Sequence, residues 1–127
     1  MDASVNAINW FEISVEDMGR AKHFYQVVFS MHMEETEMMG MKMTYFPAEM
    51  GNGKVSGALV QGSMHKPSAE GAVLYLNGNP DLNDVLSKVE SVGGKVLMPK
   101  QEISPEIGYM AFFMDSEGNR IGLHSNH

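Results

Sequence analysis

The hydrophobic pattern of the chain runs through the same order of elements twice. A strand-like run at residues 7–15 leads into an amphipathic helix that starts near Asp17, and a second run at 71–77 leads into a helix that starts near Asp81. Apolar residues in both helices recur every three or four positions, which is the spacing of one buried helix face. The pattern therefore predicts two strand–helix units, each with its helix packed on its own sheet.

Short strand-like segments follow each predicted helix, separated by glycine, asparagine and proline. They lie at 31–38, 41–48 and 55–61 in the first half and at 95–99, 108–115 and 120–124 in the second. Each half thus has the order strand–helix–strand–strand–strand. We predict an α+β fold in which two tandem βαβββ modules, about 5–62 and 70–126, form curved mixed sheets around a shared cleft within one domain, 1–127.

Details between the predicted strands complete this picture. Residues 62–70 are expected to link the modules, and 99–105 are expected to form a longer loop that could cover a cleft. The second helix is predicted to have Asn79 as its N-cap and Pro80 as its first residue, since proline suits that position.

Composition and charge exclude several classes of function. The chain has 127 residues, of which 43% are hydrophobic and 20% charged, as in ordinary globular domains. A net charge of −7 with nine scattered lysines and arginines argues against a nucleic-acid partner. We expect no membrane partner and a cytoplasmic location, because no apolar stretch approaches ~20 residues and no signal peptide is recognisable. Without cysteine, thiolate chemistry and disulfides are excluded.

Two short motifs lie near the two ends of the repeated pattern, one early and one late in the chain. They are Val15-x-Asp17-x-x-x-Ala21-x-x-Phe24-Tyr25 and Asp115-x-x-Gly118-Asn119-x-Ile121. With the duplicated βαβββ order, they resemble the vicinal oxygen chelate superfamily of glyoxalase I, bleomycin-resistance proteins and extradiol dioxygenases. The resemblance covers nearly the whole chain and is greatest to a glyoxalase-like branch. It implies a cleft for a small molecule and a homodimer as the partner arrangement.

The same resemblance implies where a metal ion would bind. Metal-dependent members hold a divalent ion with four side chains, two from each module, and the ion polarises substrate oxygens. Carried over by position, the first ligand falls on Trp10, the third on Ala72 and the fourth on Gly122, and the second lies within 56–60. None of these three offers a ligating side-chain atom, and 56–60 holds no carboxylate or imidazole. We therefore predict no standard metal site and no cofactor.

Strand alternation extends the predicted cleft, because side chains two residues apart share a face. The predicted ligand-binding residues are Trp10, Glu12, Ser14, Ala72, Leu74, Arg120, Gly122 and His124. The small residues Ala72 and Gly122 would leave room that metal ligands occupy in relatives, and Tyr75 is expected in the core. Such a cleft suits a small, partly apolar ligand with few polar handles.

Three functions remain open on these residues. One is a metal-free small-molecule binding protein, similar in mode to antibiotic-sequestering relatives. Another is a glyoxalase-like lyase or isomerase, either metal-dependent through substitute ligands or metal-free through Glu12 and His124, which could share a proton. The non-catalytic interpretation of those two side chains is that Glu12 pairs with Arg120 while His124 lies near solvent. The third function is an interaction module whose cleft is closed by side chains. Whether the protein is an enzyme stays undecided.

Overall fold

The computed structural model describes residues 1–49 and 51–127, which form two modules with the same order of elements. The first module contains β1 (Trp10–Ser14), α1 (Met18–Val28), β2 (Glu34–Met38), β3 (Met41–Tyr45) and β4 (Ser56–Gln61). The second contains β5 (Tyr75–Asn77), α2 (Asn83–Val89), a 3₁₀ turn (Glu90–Val92), β6 (Lys95–Ser104), β7 (Gly108–Met114) and β8 (Arg120–Ser125). The predicted α+β fold of tandem βαβββ modules is confirmed.

Each module folds into a four-stranded mixed sheet, with strand orders β1-β4-β3-β2 and β5-β8-β7-β6. The first strand of each module runs parallel to the last, and the remaining neighbours are antiparallel. In the first sheet Trp10 lies beside Ser56, and in the second Tyr75 lies beside Gly122. These two registers decide which side chains share each face.

Helix α1 forms where the sequence pattern predicts it. The Asp17 side chain caps its N-terminus by accepting a hydrogen bond from the backbone N–H of Arg20 at 3.0 Å, as expected for an N-cap aspartate. Its buried face has the predicted helical spacing and consists of Met18, Ala21, Phe24, Tyr25 and Val28. No helix in the described ranges, 1–49 and 51–127, is long and apolar enough to cross a bilayer.

One continuous hydrophobic core joins the modules. It contains the buried faces of both helices together with one face of each sheet. Phe24 lies 5.9 Å from Phe113 of the second sheet, measured between ring centroids, and Tyr25 lies 5.6 Å from Phe46 of the first module. Because each buried Phe or Leu stabilises the fold by roughly 1.5–3 kcal/mol, this shared core holds the two modules together. The sheet faces turned away from it are called the outer faces below.

In the second module the predicted boundaries of β6 and α2 are wrong, and β5 is shorter than its predicted run. The expected covering loop at 99–105 is mostly strand, because β6 continues to Ser104 and pairs with β7. The pairing shifts register between Met98 and Gln101, so Pro99 sits at an irregularity where a missing N–H is tolerated. This segment therefore does not cover a cleft.

Helix α2 begins later than predicted, at Asn83 instead of Pro80. The Asp81 carboxylate accepts the backbone N–H of Asn83 at 2.9 Å. The side chain of Asn79 instead accepts the backbone N–H of Asn126 at 2.7 Å, which ties the C-terminal segment to this turn. Asn79 is therefore not the helix cap.

Candidate functional site

Strands β1 and β8 present the faces that alternation predicts. In β1, Ile13 is buried in the core, whereas Trp10 and Glu12 are exposed on the outer face, with Trp10 42% accessible. In β8, Ile121 and Leu123 are buried in the core, so Arg120, Gly122 and His124 belong to the outer face. Each sheet therefore has a separate outer face that could contribute to a ligand site.

Strand β5 is one residue out of phase with the prediction. Tyr75 is 51% exposed and lies beside Gly122 on the outer face, whereas Leu76 is buried in the core. The strand begins only at Tyr75, so alternation cannot be extended back to Ala72, which is exposed. Leu74 packs partly against the core. The expectation that Tyr75 is a core residue is wrong.

The space expected above Gly122 is filled by the ring of Tyr75. A Cβ atom added at Gly122 would lie 2.7 Å from Cδ1 of Tyr75, which is closer than real Cβ contacts. The same ring lies 5.7 Å from the ring of Phe112, centroid to centroid. The aromatic ring thus packs on Gly122, and the glycine does not leave an open volume.

The residues at the superfamily's metal positions do not fit a divalent ion. The sheet register places Ser56 beside Trp10 and Ala58 beside Glu12, so the position that the sequence left open within 56–60 has no carboxylate or imidazole either. Tyr75, and not Ala72, lies beside Gly122. Indole, methyl and glycine offer no ligand atom, and neutral hydroxyls are weak ligands for zinc-type ions. Across residues 1–49 and 51–127, no three His, Asp or Glu side chains lie close enough to hold a metal.

Glu12 pairs with a histidine that the sequence did not single out. Its Oε1 atom lies 2.9 Å from Nε2 of His65, with side-chain exposures of 37% and 20%. His124 instead places Nε2 2.7 Å from the carbonyl oxygen of Ile107. The predicted pairing of Glu12 with His124, and its alternative with Arg120, are both replaced by this contact.

A turn in the linker brings His65 to the first sheet. Its backbone N–H donates to the carbonyl of Gly62 at 3.1 Å, which closes a four-residue turn and an isolated antiparallel bridge. The Gly62-Ser63 dipeptide is a turn signal that could have predicted the reversal, although not the long-range contact with Glu12. Nδ1 of His65 is buried without a partner among the described residues. With the proton on Nε2 facing the carboxylate, Nδ1 carries the lone pair.

Aromatic and sulfur-containing side chains surround this pair on the outer face of the first sheet. The ring centroids of Trp10 and Tyr45 are 6.0 Å apart in an edge-to-face arrangement. Met43, Ala58 and Val60 form a small buried cluster on the same face. The face therefore combines an apolar floor with one carboxylate–imidazole pair.

A shallow depression of about 160 Å³ gathers part of the predicted site between the modules. Five predicted residues line it: Glu12, Ser14, Ala72, Leu74 and Arg120. Trp10, Gly122 and His124 lie outside its lining. The structure thus brings the predicted residues of β1 close to those before β5 and at the start of β8, but it does not gather all eight.

The two sequence motifs meet at a different place, where the loop 115–119 packs on the start of α1. We call this contact the loop junction. The buried Tyr25 hydroxyl donates to Oδ2 of Asp115 at 2.7 Å, and the Asn119 side-chain amide donates to the backbone carbonyl of Ser14 at 2.8 Å. Burial, followed by the nearby Asp115 carboxylate, raises the pKa of Tyr25 well above its ordinary value. The motif side chains therefore bond one another.

Glu117 completes the loop junction. Its carboxylate accepts the backbone N–H groups of Glu16 and Asp17 at 2.9 and 2.8 Å and the Nε–H of Arg20 at 2.7 Å. Burial alone would raise the pKa of Glu117, but the hydrogen bonds from Arg20 and the backbone outweigh it and hold that pKa below its ordinary value. The carboxylate thus stays ionised and ties the second module to the N-terminus of α1.

A family model described as the Glyoxalase/Bleomycin resistance protein/Dioxygenase superfamily matches residues 7–123. The chain belongs to this superfamily, as its duplicated pattern predicts. No curated protein sequence matches the chain significantly.

Solved structures show the same fold at low sequence identity. A glyoxalase-related enzyme from Fulvimarina pelagi is similar at 14% identity, with 96% of this chain and 89% of that chain covered and a TM-score of 0.66. A glyoxalase/bleomycin resistance protein from Albidiferax ferrireducens T118 is similar at 15% identity, with 94% of this chain and 98% of that chain covered and a TM-score of 0.64. The fosfomycin resistance protein FosX from Mesorhizobium loti is similar at 18% identity, with 96% of this chain and 92% of that chain covered and a TM-score of 0.55. At these identities the likeness shows the fold alone.

Proposed function

We propose that this protein binds a small, partly apolar molecule on its outer sheet faces, without the superfamily's usual metal ion. The observation that carries the proposal is the exposed indole of Trp10, which lies against Tyr45 and two residues from Glu12 on the same face. An exposed aromatic cluster around a few polar groups is the usual composition of a ligand site. The family's mixture of enzymes and resistance proteins agrees with binding but does not select a ligand.

The polar handles of the proposed site come from both modules. Glu12, Ser14 and Arg120 line the depression between them, together with Ala72 and Leu74. His124 contributes through the second outer face, where Gly122 supports the ring of Tyr75. We therefore keep all eight predicted residues in the site and add Tyr45, His65 and Tyr75.

A homodimer is part of this proposal. Both outer faces carry a partly exposed aromatic pair, Trp10 with Tyr45 and Tyr75 with Phe112. A two-fold axis that placed the first outer face of one copy against the second outer face of the other would cover both pairs twice. Such an arrangement would enclose a ligand that a single copy leaves open to water.

The test uses Trp10, the only tryptophan in the chain, as its own reporter. Compounds that raise the melting temperature are expected to change Trp10 emission as well, since a ligand of the folded state stabilises it and would contact the indole. Trp10→Ala should abolish the melting shift. Ile103→Ala is the matched control, because Ile103 is also 42% exposed but lies on β6.

The proposal fails if no compound changes both the melting temperature and Trp10 emission, or if the melting shifts of the compounds that do survive Trp10→Ala or are lost equally in Ile103→Ala. Purified protein with stoichiometric nickel, zinc or iron would overturn its metal-free part. A scattering mass near 14.0 kDa at micromolar concentration would overturn the homodimer.

A metal-free lyase or isomerase is the second candidate, and the Glu12–His65 contact favours it. A carboxylate that orients an imidazole is a recurring acid–base arrangement. If the pair transfers protons, Glu12→Gln and His65→Gln should each reduce turnover of a substrate at least tenfold, and the double variant should be no worse than either. Turnover that survives both changes would exclude this candidate while leaving ligand binding intact.

A further inference from the structure

A second cavity lies mostly on the core side of the sheets and shares Leu74 and Tyr75 with the proposed site. It has a volume of about 750 Å³ and opens between β1 and β5 where the two modules adjoin. Its apolar walls include Phe11, Phe29, Phe46, Val55, Val73 and Leu76. We call it the seam cavity.

Strand alternation separates most of the seam cavity from the outer faces, although Tyr75 of the second outer face also lines it. Phe11 follows Trp10 and Leu76 follows Tyr75, so these cavity residues point to the opposite side of their strands. Leu76 is buried and Phe11 packs against the core, whereas Ile8 and Val55 are exposed, so the cavity reaches from the surface to the core. A ring pair of Phe11 and Phe46, with centroids 5.2 Å apart, gives it a rigid aromatic wall.

The polar groups of the seam cavity select the kind of ligand. Backbone N–H groups of Asn79 and Asn126 donate to the side-chain oxygens of Asn77 and Asn79 at 2.9 and 2.7 Å. This fixes the carboxamide orientation, and within the described residues neither side-chain nitrogen donates a hydrogen bond. The hydroxyl of Ser56 is already directed at the carbonyls of Phe46 and Pro47. The side-chain N–H groups of Asn77 and Asn79 are therefore free to donate, and the hydroxyl of Tyr75, which also lines the cavity, can donate as well.

We propose that the seam cavity binds an uncharged, mainly apolar molecule that carries a carbonyl oxygen. Its volume lies within the range of about 300–1,000 Å³ typical of small-molecule sites. No charged side chain lines it in the part of the chain that the structure describes. Burying an ion there would be costly without a partner charge, whereas a ketone, ester or amide oxygen matches the asparagine donors.

Prodan, a naphthalene with a propionyl ketone, is a suitable probe because its emission rises and shifts to the blue in apolar surroundings. We expect saturable binding of prodan to the wild-type protein. An analogue with propyl in place of propionyl should bind about fivefold more weakly, since it lacks one hydrogen bond. Equal binding of the two probes would overturn the assignment of a carbonyl ligand.

Two substitutions locate the probe. Val73→Phe should narrow the cavity and weaken prodan binding at least tenfold, whereas Val5→Phe, at an exposed valine outside it, should not. Asn77→Asp keeps the oxygen that accepts from Asn79 but removes one of the two carboxamide donors, so it should reduce the preference for prodan over its propyl analogue. An unchanged affinity in Val73→Phe would overturn the site.

Nuclear Overhauser contacts on the wild-type protein test the location even if a variant does not fold. Prodan protons should contact the methyl group of Met31, which lines the cavity, and not that of Met43 on the outer face. Contacts to Met43 alone would place the probe in the outer site and overturn the proposal. Binding that disappears as the protein dimerises would show that a second copy fills the cavity, which also overturns it.

Discussion

The loop junction and the outer faces use polar side chains in opposite ways. At the loop junction, the carboxylates of Asp115 and Glu117 are buried and bonded to backbone and side-chain donors of both modules. On the outer faces, Trp10 and Tyr75 are about half exposed, and Glu12 makes its contact with a linker histidine. The polar groups of the loop junction are hydrogen-bonded to one another, whereas the side chains of the outer faces remain accessible to a ligand or a second copy.

This difference explains why the family resemblance predicts the fold but does not predict the ligand. The motif residues Tyr25, Asp115 and Asn119 bond each other and the backbone. These hydrogen bonds fix the position of the second module relative to the first. The residues that would contact a ligand lie on β1, β5 and β8 outside these bonds, and a shared fold places no requirement on them.

Asp115→Ala is the substitution expected to separate the two regions most strongly. It removes an acceptor of four hydrogen bonds, from Tyr25, from the backbone N–H groups of Glu117 and Asn119, and from the Asn119 side chain. Leaving these donors buried without a partner should reduce the free energy of unfolding by about 4 kcal/mol in urea denaturation.

Asp115→Asn is the matched control for that change. Its remaining oxygen can still accept the two backbone N–H groups, so the loss of unfolding free energy should be about half as large. If Asp115→Ala cost no more than Trp10→Ala, the contrast between a bonded junction and an open face would be wrong.

Acid should weaken the loop junction through Glu117. Its pKa in the folded protein lies below the ordinary value of 4.5, so the unfolded chain binds the proton more readily. The stability that Glu117 contributes is therefore complete above pH 4.5 and is lost as the pH falls through the lower folded pKa. Glu117→Gln should cost about 2 kcal/mol at pH 7 and should show a flatter loss of stability in acid, measured by urea denaturation at several pH values.

Glu106→Gln makes the same chemical change at an exposed glutamate between β6 and β7. It should leave both the stability at pH 7 and its acid dependence unchanged. An equally flattened acid profile in this variant would show that general charge, and not the junction, governs the response.

Sequence patterns predicted the fold and the faces of β1 and β8, because alternation over five or more residues fixes which side is buried. In β1 the exposed Trp10 and the buried Ile13 follow this rule. The phase of β5 could not be predicted, since 72–76 is an unbroken apolar run and only three residues, Tyr75–Asn77, join the sheet. The Glu12–His65 contact could not be predicted either, because it joins residues 53 positions apart through a linker turn.

Gly122→Ala should have the smallest of these effects, and it tests how open the second outer face is. The added methyl would lie 2.7 Å from the Tyr75 ring, but the ring is 51% exposed and can move outward. We therefore expect a loss of about 1 kcal/mol in urea denaturation. In a Tyr75→Ala background the clash is gone, and alanine in place of glycine should then be neutral or stabilising by up to about 1 kcal/mol. Such coupling would show that a glycine is needed at position 122 because the Tyr75 ring packs on it. Additive losses would show that the glycine is needed for its backbone conformation alone.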